Sequence, residues 1–132
     1  MAKSQFGTVG QGVLRSYTAD VDLSAGLAVI AGAAINSVKL PTAQNQRALG
    51  IVAADAKAGQ PVTVVEYGEC ICIADAAVVR GNYVMINAAS GQLAPVGAVA
   101  GTNYETVGIA LEAAAAQGDE FLVLVLPQRV QG

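Results

Sequence analysis

One pattern of glycine and apolar residues recurs four times along the chain. A glycine is followed by apolar residues at the third and fifth positions after it, in GLAVIA from Gly26, GQPVTV from Gly59, GNYVMI from Gly81 and GDEFLV from Gly118. Glycine supplies the positive φ that a tight turn requires, and apolar residues two positions apart mark the buried face of a strand. Each segment therefore predicts a turn followed by a strand.

Two of these segments extend backwards in the same way. LGIVAADAKAGQPVTVV (49–65) and VGIALEAAAAQGDEFLVLV (107–125) both contain an apolar residue, Gly, Ile, an alanine-rich connection, a second Gly and a strand. The alanines of Ala113–Ala116 favour a helix by propensity, and a short helix is one interpretation. The connection is shorter than the ~12–15 residues at which an isolated helix becomes marginal, so its length favours a turn between two strands.

The remaining segments predict further short strands. RALGIVA (47–53), INSVKLPT (35–42) and a long strand bent at Gly68 fit this description, and NYVMINAASGQLAPV (82–96) predicts a hairpin with its turn at residues 87–91. Short strands separated by glycine turns are typical of small sandwiches and barrels. The sequence therefore predicts an all-β fold, a small glycine-turn-rich β-barrel or sandwich with an extended N-terminal arm.

The first fifteen residues differ in character from the rest of the chain. Phe6, Val9, Val13 and Leu14 are apolar residues set among Gly, Ser and Gln. A loose segment with a few apolar anchors favours ordering against a partner. We therefore expect a flexible arm over residues 1–15 and a single β-rich domain over residues 16–132.

Composition points towards association with other proteins. Of the 132 residues, 54% are hydrophobic and only 13% are charged, so we expect more apolar surface than one small core can bury. The longest near-apolar stretch, residues 26–35, is too short to span a bilayer, and the N-terminus lacks the apolar core of a signal peptide. The basic residues are spread singly, which argues against nucleic acid as a partner.

Candidate groups for chemistry are few. The chain has no His, the commonest general base and metal ligand. Cys70 and Cys72 could hold a soft metal, but Ile71 and Ile73 alternate with them and favour two small buried hydrophobic residues. Asp20 and Asp22 could bind a hard cation, although solvated turn residues are the better interpretation. We predict no catalytic residues, no cofactor and no metal site.

Several stretches together resemble a known family. They are LGIVAADAKAGQPVTVV, the SGQLAP turn and VGIALEAAAAQGDEFLVLVL, within a resemblance that covers residues 21–127. In these patterns of glycine and alternating apolar residues the chain resembles the head decoration proteins, or capsid cement proteins, of tailed bacteriophages.

The resemblance implies a structural virion protein that is not an enzyme. Such a protein would form a homotrimer, bind the major capsid protein on the outer capsid surface and stabilise the expanded head, after synthesis in the host bacterial cytoplasm. The segment that would reach the capsid contains Phe6, Val9, Val13, Leu14 and Arg15. Two alternatives are another phage structural β-domain, of a tail or baseplate, and a carbohydrate- or ligand-binding module that uses exposed tyrosines.

Overall fold

The computed structural model describes residues 8–87, 89–97 and 100–131, with side chains from residue 12 onwards. Within these residues the chain forms strands and turns and contains no helix, which confirms the all-β prediction. The strands are β1 (Thr8–Ala19), β2 (Ala28–Ala31), β3 (Ser37–Lys39), β4 (Gly50–Val52), β5 (Pro61–Ile73), β6 (Tyr83–Ile86), β7 (Leu93–Pro95), β8 (Asn103–Ala110) and β9 (Glu120–Gln131).

The strands close into two small barrels that share β5. In the first barrel the order is β1-β3-β2-β4-β5, and pairing between β1 and β5 closes the ring. In the second barrel the order is β5-β9-β8-β6-β7, and a parallel bridge between Leu93 and Ala74, directly after β5, closes it. The first half of β5 is thus the last strand of the first barrel, and its second half is the first strand of the second barrel.

The two barrels repeat each other in backbone pairing as well as in strand order. A two-way hydrogen-bonded bridge joins Leu23 to Ala56 in the first barrel and Val78 to Ala114 in the second. Three further pairs of the first barrel have an equivalent in the second. Ala28 pairs with Ile51 as Tyr83 pairs with Ile109, and Ile51 pairs with Val65 as Ile109 pairs with Leu124. Tyr17 pairs with Val62 as Cys72 pairs with Phe121. The weak sequence repeat therefore reflects a full structural duplication.

The alanine-rich connection before β9 is a turn. Ala114 is buried against Val78, and the carboxylate of Asp119 accepts hydrogen bonds from the backbone N–H groups of Ala115 and Ala116. These contacts satisfy the connection without helical hydrogen bonds, so tertiary pairing overrides the helix propensity of alanine. The prediction of strand, turn and strand in both copies is confirmed.

The aromatic residue of one equivalent pair lies on opposite strands in the two barrels. Tyr17 faces Val62 in the first barrel, whereas Cys72 faces Phe121 in the second. Each pair combines one aromatic ring with one small side chain, so both interiors are filled at similar volume. Cys72 is fully buried, and burial raises the pKa of its thiol well above the ordinary value, as expected for a small core residue.

The predicted boundary between arm and domain, after residue 15, falls inside strand β1. Residues 8–15 belong to β1 and pair with β5, where Val9 lies opposite Glu69 and Val13 opposite Tyr67. This part of the chain is therefore a paired strand, because β5 provides a partner far away in sequence, and the rest of the predicted arm, residues 1–7, lies outside the described residues. Two register shifts in this pairing, on either side of Gly12, accompany the predicted irregularity at Gly68, which has φ 121°.

An apolar row on the outside of the first barrel is buried against the second barrel. Ala28, Ile51 and Val65 pair across β2, β4 and β5 and are fully inaccessible to solvent. They belong to the same hydrophobic cluster as the second-barrel residues Ile86 and Val125. The two barrels are therefore joined by a continuous core and not only by the shared strand.

A loop between β3 and β4 adds a polar contact to this joint. Asn45 has a positive φ of 62°, its backbone N–H donates to the carbonyl of Ile86, and its side-chain oxygen accepts from the N–H of Glu105. Nearby, the Glu105 carboxylate lies between Arg129, at 2.5 Å, and Arg47, at 3.5 Å. The hydrogen bond from Arg129, with a smaller contribution from Arg47, holds the pKa of Glu105 below its usual value against the opposing effect of burial.

Two equivalent glycines allow neighbouring strands to approach closely. A Cβ atom on Gly50 would lie 2.2 Å from the carbonyl oxygen of Val65, and one on Gly108 would lie 2.0 Å from that of Leu124. Backbone atoms cannot swing aside as flexible side chains can. The glycine in each copy of the repeat is therefore required by strand spacing.

We predict that Gly108→Ala lowers the free energy of unfolding by about 3 kcal/mol, at the upper end of the cost of overpacking, because the added methyl group must displace backbone. Gly59→Ala is the control: its φ is +84° but its Cβ would meet nothing within 4 Å, so only strain of about 1–2 kcal/mol is expected. Denaturant titration of both variants measures the difference. Equal losses would show that conformational strain, and not close approach, explains Gly108.

We also predict a pH dependence from Glu105. Because its pKa is lower in the folded chain, its contribution to stability is fully present above its ordinary value of 4.5 and is lost as the pH falls through the lowered folded value. Glu105→Gln should therefore flatten the acid side of the curve of unfolding free energy against pH. Arg129→Gln should move the carboxyl titration of Glu105, followed by NMR, back towards higher pH, and an unmoved titration would contradict the assignment.

Candidate interaction surface

Exposed apolar side chains gather on three neighbouring strands. Val13 and Leu14 on β1 are 53% and 47% exposed, and Tyr67 on β5, the partner of Val13, is also exposed. Leu126 on β9 follows Val125, the partner of Gly68, and is exposed as well. We call Val13, Leu14, Tyr67 and Leu126 the three-strand patch. Apolar side chains clustered in this way are typical of a surface that contacts another protein.

A polar group borders the patch. The side chain of Arg15 is 62% exposed, and its guanidinium lies 3.5 Å from the carboxylate of Glu66, which also accepts a hydrogen bond from the hydroxyl of Tyr17. Burial, and then the hydrogen bond to Glu66, raise the pKa of Tyr17, so its hydroxyl stays protonated as a donor. Arg15 keeps most of its charge in solvent, where it can reach an acidic group on a partner.

The structure brings together only part of the predicted contact segment. Val13, Leu14 and Arg15 are adjacent on β1 and exposed. Phe6 lies outside the described residues, and Val9 is described only by its backbone pairing with Glu69.

Sequence reasoning missed Tyr67 and Leu126 as neighbours of this segment. Tyr67 lies next to the bend at Gly68, and Leu126 ends an unbroken apolar run, so the alternation of buried and exposed positions could not identify them. Only the pairing of β5 with both β1 and β9 places them beside Val13.

The acidic residues considered for cation binding stabilise turns. Asp20 accepts a hydrogen bond from the N–H of Ala33, and Asp22 accepts one from the N–H of Ala58 and lies 3.7 Å from the ammonium of Lys57. Each carboxylate thus has partners within the chain. Over residues 8–87, 89–97 and 100–131, no cluster of three or more Cys, Asp and Glu side chains has the geometry to hold a metal ion.

The tyrosines do not form a platform for a sugar. Tyr17 and Tyr104 are buried, whereas Tyr67 lies in the three-strand patch and Tyr83 on the second barrel. Carbohydrate modules stack sugars on exposed aromatic rings, and two of the four tyrosine rings of this chain are buried. In the part of the chain that the structure describes, no helix is long and apolar enough to cross a membrane.

A shallow cavity of about 290 Å³ lies beside the Glu105 cluster. It is lined by Arg47, Glu105, Thr106 and Arg129, together with Ala48, Pro127 and Gln128. The Glu105 carboxylate is bound to both guanidinium groups, and the Thr106 hydroxyl donates to the carbonyl of Gln128. The Arg47–Glu105 ion pair therefore joins the two barrels, whereas the other two contacts lie within the second barrel between β8 and β9.

Comparison with known proteins agrees with the geometry. A family model described as phage cement protein matches residues 9–125. Among solved structures, the head fiber gp8.5 N base of bacteriophage phi29 matches with a TM-score of 0.66 at 15% identity, over 92% of this chain and 100% of that one. No curated protein matched the sequence. At that identity the structural likeness shows a shared fold, and the family match carries the assignment. This two-barrel chain belongs to the phage cement protein family.

Proposed function

We propose that this protein is a non-catalytic component of the virion that binds the major capsid protein on the outer surface of a phage head and stabilises the expanded shell. The observation that carries the proposal is the three-strand patch, together with the family to which the chain belongs. The patch presents apolar side chains on paired strands, with β1 bonded to β5 at Val13 and Leu14 and β5 bonded to β9, so binding requires little ordering of the backbone.

The patch and the N-terminal segment form one contact surface in this proposal. Val13, Leu14 and Arg15 bind the capsid, the preceding residues Phe6 and Val9 extend the contact, and Tyr67 and Leu126 widen it. Apolar burial supplies most of the binding free energy, at roughly 25 cal/mol per Å². Arg15 adds an ion pair with an acidic group at the rim of the contact.

Stabilisation follows from linkage. A protein that binds the assembled lattice and not the separated subunits raises the free energy required to disassemble that lattice. In the proposed homotrimer three patches bind at once, so modest contacts combine through a high effective concentration. The protein is made in the host bacterial cytoplasm and joins the head there.

We predict that the double variant Val13→Ser with Tyr67→Ser weakens capsid binding by at least about tenfold, because each change removes apolar contact area. Binding is measured by co-sedimentation of the purified chain with expanded heads that lack it. The control is Val79→Ser, which removes an apolar side chain that is 67% exposed outside the patch. Wild-type binding by the double variant would refute the patch as the contact.

A second measurement tests stabilisation itself. Heads saturated with the wild-type chain should resist heat-induced release of DNA at higher temperature than bare heads, and heads incubated with the double variant should behave as bare heads do. If the chain is found with purified tails or baseplates and not with heads, the tail or baseplate alternative replaces this proposal.

A further inference from the structure

An exposed apolar row on the second barrel corresponds to a buried row on the first. Tyr83, Ile109 and Leu124 pair across β6, β8 and β9 as Ala28, Ile51 and Val65 pair across β2, β4 and β5. The first-barrel row is fully buried, whereas Tyr83 is 37% exposed and Ile109 and Leu124 are partly exposed. The difference arises because the second barrel covers the first row, whereas no other part of the described chain (8–87, 89–97 and 100–131) buries the second row.

The joint within the chain shows what covers such a row. The turn between β6 and β7 approaches it: the N–H of Ala28 donates to the carbonyl of Gly91, and Ile86 belongs to the same buried cluster as Ala28. The β6–β7 end of the second barrel therefore covers the row at Ala28, while β9 contacts it at β4. The first barrel has an equivalent of the β6–β7 end at its β2–β3 turn.

Among the described residues, that equivalent end presents exposed side chains, although the carbonyl of Asn36 already accepts a hydrogen bond from the N–H of Thr18. The N–H of Gly32 donates to the carbonyl of Ser37, and the N–H of Asn87 donates to that of Gln92 in the same way. The two turns therefore align, and Ala31 and Asn36 occupy the positions of Ile86 and Gly91. Ala31 and Asn36 are exposed, and Ile35, at the tip of the turn, is 93% exposed. A concave surface of about 300 Å³ lies beside this turn and is lined by Ile30, Ala31, Gln46, Arg47 and Leu49.

We infer that the row of Tyr83, Ile109 and Leu124 in one copy of this chain docks on the β2–β3 end of the first barrel in a second copy, at Ala31, Ile35 and Asn36. The inference rests on the self-association in the proposed function and names the surfaces that carry it. The contact joins two different surfaces, so it is heterologous, and it builds the proposed homotrimer when the rotation between successive copies closes after three. The joint between barrels within the chain is its template.

Gly91 and its equivalent Asn36 show how closely the contact between copies can follow the joint within the chain. A Cβ on Gly91 would lie 2.7 Å from the carbonyl oxygen of Ala28, so the joint within the chain is too tight for a side chain there. Asn36, with φ 64°, matches the backbone shape of Gly91, with φ 82°, but it carries a side chain. The contact between copies is therefore wider, and the larger side chain of Tyr83, in place of Ala28, fills the added space.

Leu124→Lys tests the contact. Leu124 lies opposite Glu69 on β5, so a lysine at this position gains a cross-strand ion pair that favours the fold, while it places a charge in the docking row. We expect the wild-type chain to sediment as an oligomer and this variant at the 13.2 kDa mass of one chain. An oligomeric variant, or a monomeric wild-type chain at the same concentration, would overturn the inference.

The matched control is Val79→Lys. Val79 is exposed and follows Val78, whose bridge to Ala114 is the equivalent of the bridge between Leu23 and Ala56. Val79 therefore corresponds to Ser24 of the first barrel, which stays exposed beside the second barrel. This variant should remain an oligomer. Circular dichroism and the thermal unfolding midpoint of both variants separate loss of the contact from loss of the fold.

Directed cross-linking tests the pairing of surfaces without a disruptive charge. In the chain, Ala28 and Gly91 are in backbone contact, and Tyr83 and Asn36 are their equivalents. Under mild oxidation, a mixture of Tyr83→Cys chains and Asn36→Cys chains should form a disulfide-linked dimer, whereas either variant alone should not. Cys70 and Cys72 are fully buried and do not compete. Dimers formed by one variant alone would indicate a two-fold contact and refute the docking described here.

Capsid binding distinguishes this inference from the proposed function. If the wild-type chain is monomeric yet co-sediments with heads, the contact between copies is refuted and the capsid role stands. If the chain forms the cross-linked oligomer and does not bind heads, the capsid role fails and the contact stands.

Discussion

The burial of one apolar row between two barrels is the interaction on which the rest of the structure depends. A five-stranded barrel has an interior only wide enough for a few side chains, so neither barrel buries much apolar surface alone. The row of Ala28, Ile51 and Val65 joins the first barrel to the core of the second and makes one hydrophobic body. Strand β5 keeps the two barrels in register because it belongs to both.

Duplication explains why this chain has both a closed joint and an open surface. Two equivalent barrels placed one after the other bury the row of the first and, among the residues that the structure describes, leave the row of the second partly exposed. The same arrangement leaves the side chains of Ala31, Ile35 and Asn36 exposed at the β2–β3 end of the first barrel. A repeat that covers its neighbour in this way has complementary surfaces at its two ends, and this property suits a protein that assembles with its own copies.

Charge has a limited and local role. The polar contacts with structural consequences are the Glu105 cluster at the joint and the Arg15, Glu66 and Tyr17 group beside the patch. The carboxylates of Asp20, Asp22 and Asp119 accept backbone hydrogen bonds in turns, where they replace water without requiring a buried charge. Stability therefore depends mainly on apolar packing and strand spacing, as the low charged fraction suggests.

The sequence by itself determined the class of fold and the positions of its turns. Glycines at 26, 59, 81 and 118 have positive φ and precede the strands that their pattern predicts, because a left-handed turn and a period-2 strand are local properties of the chain. The buried state of Cys70 and Cys72 followed from the apolar residues that alternate with them. The family could also be identified at this level, since its signature consists of these local patterns.

Only the tertiary structure decided which apolar rows are buried and which are free. Ile51 and Ile109 occupy the same place in the sequence repeat, yet one is inaccessible and the other partly exposed, because a second barrel covers only the first. In the same way, residues 8–15 have the composition of a loose arm but form a strand, since their partner on β5 lies some fifty residues away. Pairing at such separations is set by closure of the barrels, which no local pattern records.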